Sequence, residues 1–151
     1  MVDIELLKKL RNETSVSLAD CRKALEETSN DYAKAKQWLG KHGLEKAAKK
    51  AEREAKQGII YSYIHGVGRV GTLLELDCET DFVARTDDFK KLAQEISMQI
   101  SAMSPKDVTD LMSQEYIRDA SKTIEVLVKE VIAKLGENIV IKRFTRFEIG
   151  E

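Results

Sequence analysis

Apolar residues recur with helical spacing at the start of the chain, with strand spacing in its middle, and with both towards its end. Over the first segment, Ile4, Leu7 and Leu10 share one helical face, Leu18, Cys21 and Leu25 another, and Tyr32, Ala35 and Leu39 a third. The second of these helices opens with the capping-box string Ser17-Leu18-Ala19-Asp20, and the third opens at Asn30-Asp31, where a cap suits the free backbone N–H groups. Gly40 and Gly43 read as stop signals. From Leu44 to Lys56 the chain is rich in Ala, Lys and Glu and has almost no apolar face, which predicts an exposed connecting helix ending near Gly58.

A hairpin follows. Residues 59–64 and 70–76 are β-rich runs joined by His65-Gly66-Val67-Gly68-Arg69, and Leu74, Leu76 and Cys78 alternate with Glu75 and Asp77. The β pattern stops at Thr80-Asp81-Phe82-Val83-Ala84, and a helix begins whose face carries Phe89, Leu92, Ala93, Ile96 and Ile100. Ser104-Pro105-Lys106-Asp107 is expected to start a further helix, with Ser104 as its cap. Ile124, Leu127, Val128, Val131, Ile132 and Leu135 form a continuous stripe closed by Gly136, and residues 138–144 read as a third strand. The expectation is an α+β protein: a helical module over residues 1–42, a connecting helix over 43–57, and over 58–151 a three-stranded antiparallel sheet packed with helices on one face.

Composition changes this picture little. With 25 basic and 26 acidic residues the net charge is -1, so no global field favours nucleic acid or an anionic surface. Lys46, Lys49, Lys50, Arg53 and Lys56 could form a basic stripe for RNA or the ribosome. Glu45, Glu52 and Glu54 interrupt it, and no aromatics interleave for base stacking. The two cysteines, Cys21 and Cys78, both sit in apolar patterns, as expected of cytosolic thiols. No apolar run is long enough for a membrane span, and the acidic N-terminus has no signal-peptide core, so a cytoplasmic protein is expected.

The chemistry expected is that of binding. Gly66, Gly68 and Gly71 match G-x-G-x-x-G, but they lead into a strand, whereas a dinucleotide loop must open a helix to receive the pyrophosphate. His42 and His65 have no ligand-type neighbours at metal spacing, so neither a cofactor nor a metal is expected, nor catalysis of a covalent step. Phe82, a large aromatic at a polar corner, is either a core plug or an anchor for a partner.

Two separated stretches resemble translation elongation factor Ts. One is Leu10-Arg11-Asn12-Glu13-Thr14 through Asp20-Cys21-Arg22-Lys23-Ala24-Leu25 to Trp38-Leu39. The other runs from Glu75 through Cys78-Glu79-Thr80-Asp81-Phe82-Val83-Ala84, and Leu135-Gly136-Glu137-Asn138-Ile139 adds a third match. The resemblance implies a guanine-nucleotide exchange factor for elongation factor Tu, with residues 1–42 similar to ubiquitin-associated domains. It implies that Asp81 and Phe82, flanked by Thr80 and Val83, reach the GTPase beside its magnesium and phosphate site. Leu18 and Ala19 would touch it from the helical module, and Leu135 and Gly136 from the core. Longer members carry a second core half that this chain lacks, so a homodimer is expected, with Tyr61, Tyr63, Phe144 and Phe147 as candidates to line its interface.

Overall fold

The computed structural model describes residues 1–151. Three helices come first: α1 (Ile4–Thr14), α2 (Leu18–Glu27) and α3 (Tyr32–Lys49). Each start is capped as its sequence suggests. Asp3 accepts from the Glu5 and Leu6 N–H groups, Ser17 from Asp20 and Asp31 from Lys34. The Ser17 hydroxyl also donates to the Asp20 carboxylate at 2.8 Å. The bundle closes over Leu10, Cys21, Ala24, Leu25, Ala35 and Leu39, a core too small to be strongly stable alone.

That weakness explains the main departure from the expected boundaries. Gly40 and Gly43 do not stop the third helix, and the boundary expected at 42/43 falls inside α3. There is no separate connecting helix over 43–57: α3 runs to Lys49, and the chain reaches the first strand through irregular residues 50–56. Gly43 is small for a packing reason. A Cβ there would lie 3.2 Å from the Cβ of Ala133, so the glycine lets α3 press against the later helix α7 (Ile124–Leu135). Ala47, one turn on, is buried in the main core.

The main core is built on β1 (Gln57–His65), β2 (Val70–Cys78) and β5 (Ile139–Glu148), a fully antiparallel sheet in the order β1-β2-β5. One face is covered by α5 (Asp87–Met103) and α7. Leu74, Leu76, Cys78, Ile139 and Ile141 pack there with Phe89, Leu92, Ile96 and Ile100 of α5 and Val128 and Ile132 of α7. Tyr61 and Phe144 are both paired with Leu74, and Tyr63 with Thr72, so all three lie on the helix-covered side. They do not line the open face, as had been expected. Phe147 does, together with Ile60, Ile64 and Leu73, all of them exposed. The strands carry apolar residues on both sides, so only the register decides which side is covered.

Two further elements differ from the sequence reading. Ser104 adopts a left-handed conformation (φ 48°) as the C-cap of α5, and Asp107 caps the short α6 (Val108–Ser113) instead. A second small hairpin, β3 (Glu115–Tyr116) with β4 (Asp119–Thr123), then leads into α7. It is pinned to α5 by Glu95, which accepts from the Tyr116 hydroxyl at 2.6 Å and pairs with Arg118 at 2.8 Å. Burial and that carboxylate push the Tyr116 phenol up to about 12. No helix is long and apolar enough to cross a membrane.

Candidate partner-binding site

Strand β2 ends at Cys78, and after two intervening residues the chain turns into α4 (Asp81–Ala84), a single helical turn. Thr80 is its N-cap, its hydroxyl accepting from the Val83 N–H at 3.4 Å. Val83 and Ala84 are buried and root the turn in the core. Phe82 points the other way and is 78% exposed, so it is no core plug. Thr86 closes the corner: its hydroxyl donates to the Val83 carbonyl at 2.8 Å and accepts from the Phe89 N–H at 3.2 Å, which starts α5. Two phenylalanines seven residues apart thus have opposite fates, because Phe89 is fully buried.

Charge around the ring is arranged locally. Arg85 pairs with Asp81 at 2.6 Å, and its guanidinium lies 5.7 Å from the centre of the Phe82 ring. Beneath the corner, the Cys78 thiol donates to the Thr80 carbonyl at 3.1 Å. Burial, reinforced by the charge of Glu137, pushes that thiol up to about 11, so it stays protonated at neutral pH. Cys78 acts here as a buried donor.

Of the expected contact residues, Thr80, Asp81 and Phe82 are exposed together, whereas Val83 faces inward and supports the turn without offering surface. Leu135, half-buried, ends α7, and Gly136 adopts the left-handed conformation (φ 79°) that closes it. The structure brings this end beside the corner, because the next residue, Glu137, bonds Glu79 and Thr80. Leu18 and Ala19 are exposed on the first turn of α2 and form a second, separate patch. A cleft of about 580 Å³ lies between the helical module and α7, with Ser17 and Asp20 on one wall and Glu130, Ala133 and Lys134 on the other.

The basic stripe does not survive as a surface. Lys46 bonds Asp20 at 2.8 Å, Arg53 lies 3.7 Å from Glu79, and Lys56 pairs with Glu54 at 3.1 Å. Lys49 ends the helix, so the remaining cations share no helical face. The glycines of the β1–β2 turn are likewise spent on geometry: Gly66 and Gly68 have φ of 55° and 87° and lead into β2. Periodicity and motif did not reveal that Glu79, Glu137, Asn138 and the Arg53 carbonyl bond one another, because these partners lie far apart along the chain.

Comparison with known proteins decides the family. A model described as "Elongation factor Ts, mitochondrial, N-terminal" matches residues 2–51, and one described as "Elongation factor TS" matches residues 79–151. The chain is 43% identical to an elongation factor Ts of Coprothermobacter proteolyticus over 195 aligned positions, covering 99% of each. It belongs to the elongation factor Ts family. Similar proteins of the same name occur in Thermoanaerobacter sp. (42% identity, 100% of this chain and 96% of the relative) and Synechococcus sp. (41%, 99% and 70%). The first alignment is longer than the 151 residues of this chain, so that elongation factor Ts carries internal residues without a counterpart here. Membership places the protein in translation elongation, part of protein biosynthesis.

Proposed function

We propose that this chain is a guanine-nucleotide exchange factor that binds elongation factor Tu with GDP and promotes GDP release, regenerating the GTP form. The observation that carries the proposal is the exposed Phe82 on a corner rooted in the core, in a chain of this family. An exchange factor must bind the nucleotide-free GTPase more tightly than the nucleotide-bound one, and linkage then requires it to weaken nucleotide binding by the same factor. A rigidly mounted aromatic can act as a wedge of this kind, because little ordering entropy is lost when it inserts.

Thr80, Asp81 and Phe82, with Leu135 and Gly136 beside them, form the core patch for the GTPase. Leu18 and Ala19 form the second patch on the helical module. The chain works as a homodimer through the open face of its sheet. That reading is supported by the exposed Ile60, Ile64, Leu73 and Phe147, an apolar surface that a two-fold copy would cover. Stopped-flow release of labelled GDP from the cognate elongation factor Tu tests the function. Release that rises and saturates with added chain supports it, and release at the spontaneous rate refutes it.

A further inference from the structure

The Phe82 corner is gripped from outside its own helix. Glu137, just past α7, accepts from the Glu79 N–H at 3.2 Å, the Thr80 N–H at 2.9 Å and the Thr80 hydroxyl at 2.7 Å. The exchange is reciprocal: the Glu79 carboxylate accepts from the Asn138 N–H at 2.8 Å. Asn138, 3% exposed, in turn donates its side-chain amide to the Arg53 carbonyl at 2.8 Å, in the chain leaving α3. One clasp therefore joins the end of β2, the end of α7 and the segment that leads away from the helical module.

Closing a loop does not by itself need so many bonds. Thr80 is exposed, so water could satisfy its N–H and hydroxyl. A carboxylate instead fixes both groups of the residue that caps Phe82's single turn, and α4 is too short to hold a direction without such support. We propose that Glu137 is a positioning residue for nucleotide exchange, fixing Thr80 so that Phe82 leaves the surface in the direction the GTPase requires. This deepens the exchange-factor reading above and rests on it.

The test measures labelled GDP release from elongation factor Tu as a function of exchange-factor concentration, well below the melting temperature. Glu137→Ala should lower the maximal rate about tenfold, the scale of losing a charge-assisted hydrogen-bonded partner. The half-saturating concentration should change by less than about threefold, because the Leu18 patch is untouched. Glu137→Gln should restore most of the rate, since its Oε1 can still accept from both amides. Glu137→Asp, one methylene too short, keeps the charge and should behave like the alanine variant, which guards against a variant that fails to fold. In a Phe82→Ala background, Glu137→Ala should cause no further loss. Amide hydrogen exchange at Glu79 and Thr80 in the free protein should quicken in step with the lost rate.

A full maximal rate for Glu137→Ala, or a tenfold loss that persists without Phe82, overturns the proposal. If the unmodified chain fails to speed GDP release, the exchange reading falls and takes the clasp's role with it. If the unmodified chain is active and Glu137→Ala equals it, only the clasp is overturned.

Discussion

Truncating Phe82 should separate function from stability cleanly. The residue is 78% exposed, so Phe82→Ala removes little buried area from the free protein. What it does remove is the ring under Arg85, worth about 0.5 kcal/mol at an exposed site. Alanine's better helix propensity returns a similar amount, about 0.5 kcal/mol. The melting temperature should therefore move by no more than about 2 °C for a chain of this size. In the proposed complex with elongation factor Tu the same ring would be withdrawn from water, and losing that burial would cost about 1.5–3 kcal/mol. The rate of stimulated GDP release at limiting concentration should fall about ten- to a hundredfold. Phe89→Ala provides the contrast, because a fully buried ring should cost about 3–5 kcal/mol of stability. The assays are stopped-flow release and thermal melting on both variants. A Phe82→Ala protein that melts many degrees lower, or that exchanges GDP at the unmodified rate, would refute the reasoning.

Other perturbations probe the remaining joints. Gly43→Val should push α3 off α7, since even a Cβ would sit 3.2 Å from that of Ala133, and lower stability by about 1–3 kcal/mol in a denaturant titration. Phe147→Asp on the open sheet face should shift sedimentation equilibrium at micromolar concentration from dimer to monomer; a monomeric unmodified chain with full exchange activity would refute the dimer. Asp77, on the same face, has its carboxyl pushed up to about 6 by burial and by the neighbouring Glu75 carboxylate, against the nearby cations of Lys142 and Arg143. The folded chain then holds a proton that the unfolded chain has released, so stability should fall as pH rises from about 4 to 6 and level off above. Asp77→Asn should accordingly stabilise the protein at pH 7–8 by about 1 kcal/mol, allowing for solvent screening, and lose that advantage near pH 4. Urea midpoints across that range give the answer.

The sequence predicted well wherever one local rule was decisive. Ser17, Asp31 and Gly136 end or begin helices as their chemistry suggests; the α5 stripe is buried at every expected position, and the α7 stripe at Ile124, Val128 and Ile132, with Leu127, Val131 and Leu135 half-buried. It misled where two rules competed. Gly43 matches a helix stop and also a close helix crossing, and the weak bundle core favoured the crossing. Ser104 could cap either neighbouring helix, and it caps the one before it. In β1, apolar residues alternate with no clear polar side, so the burial of Tyr61 depended on its pairing with Leu74. The corner at Phe82 was legible as a change of period; its exposure followed only from the family resemblance, because the residues alone left core plug and anchor both open. The clasp was hidden because Glu137 and Glu79 are ordinary polar residues in sequence, and the bonds between the two segments span 57 to 59 residues.

The uninterrupted course of α3 has a mechanical consequence. Eighteen residues of helix form a strut about 27 Å long. One end is built into the helical module and the other is wedged against α7, whose C-cap leads directly into Glu137, the residue bonded to the Phe82 corner. The two patches therefore stand apart like the points of a fixed caliper, where a flexible tether would let them drift. A partner that matches the span engages both points for a single loss of translational freedom, while one that presents either patch alone gains half the contact. Under the proposed exchange function, selectivity among GTPases would then come from spacing as much as from the residues at each point.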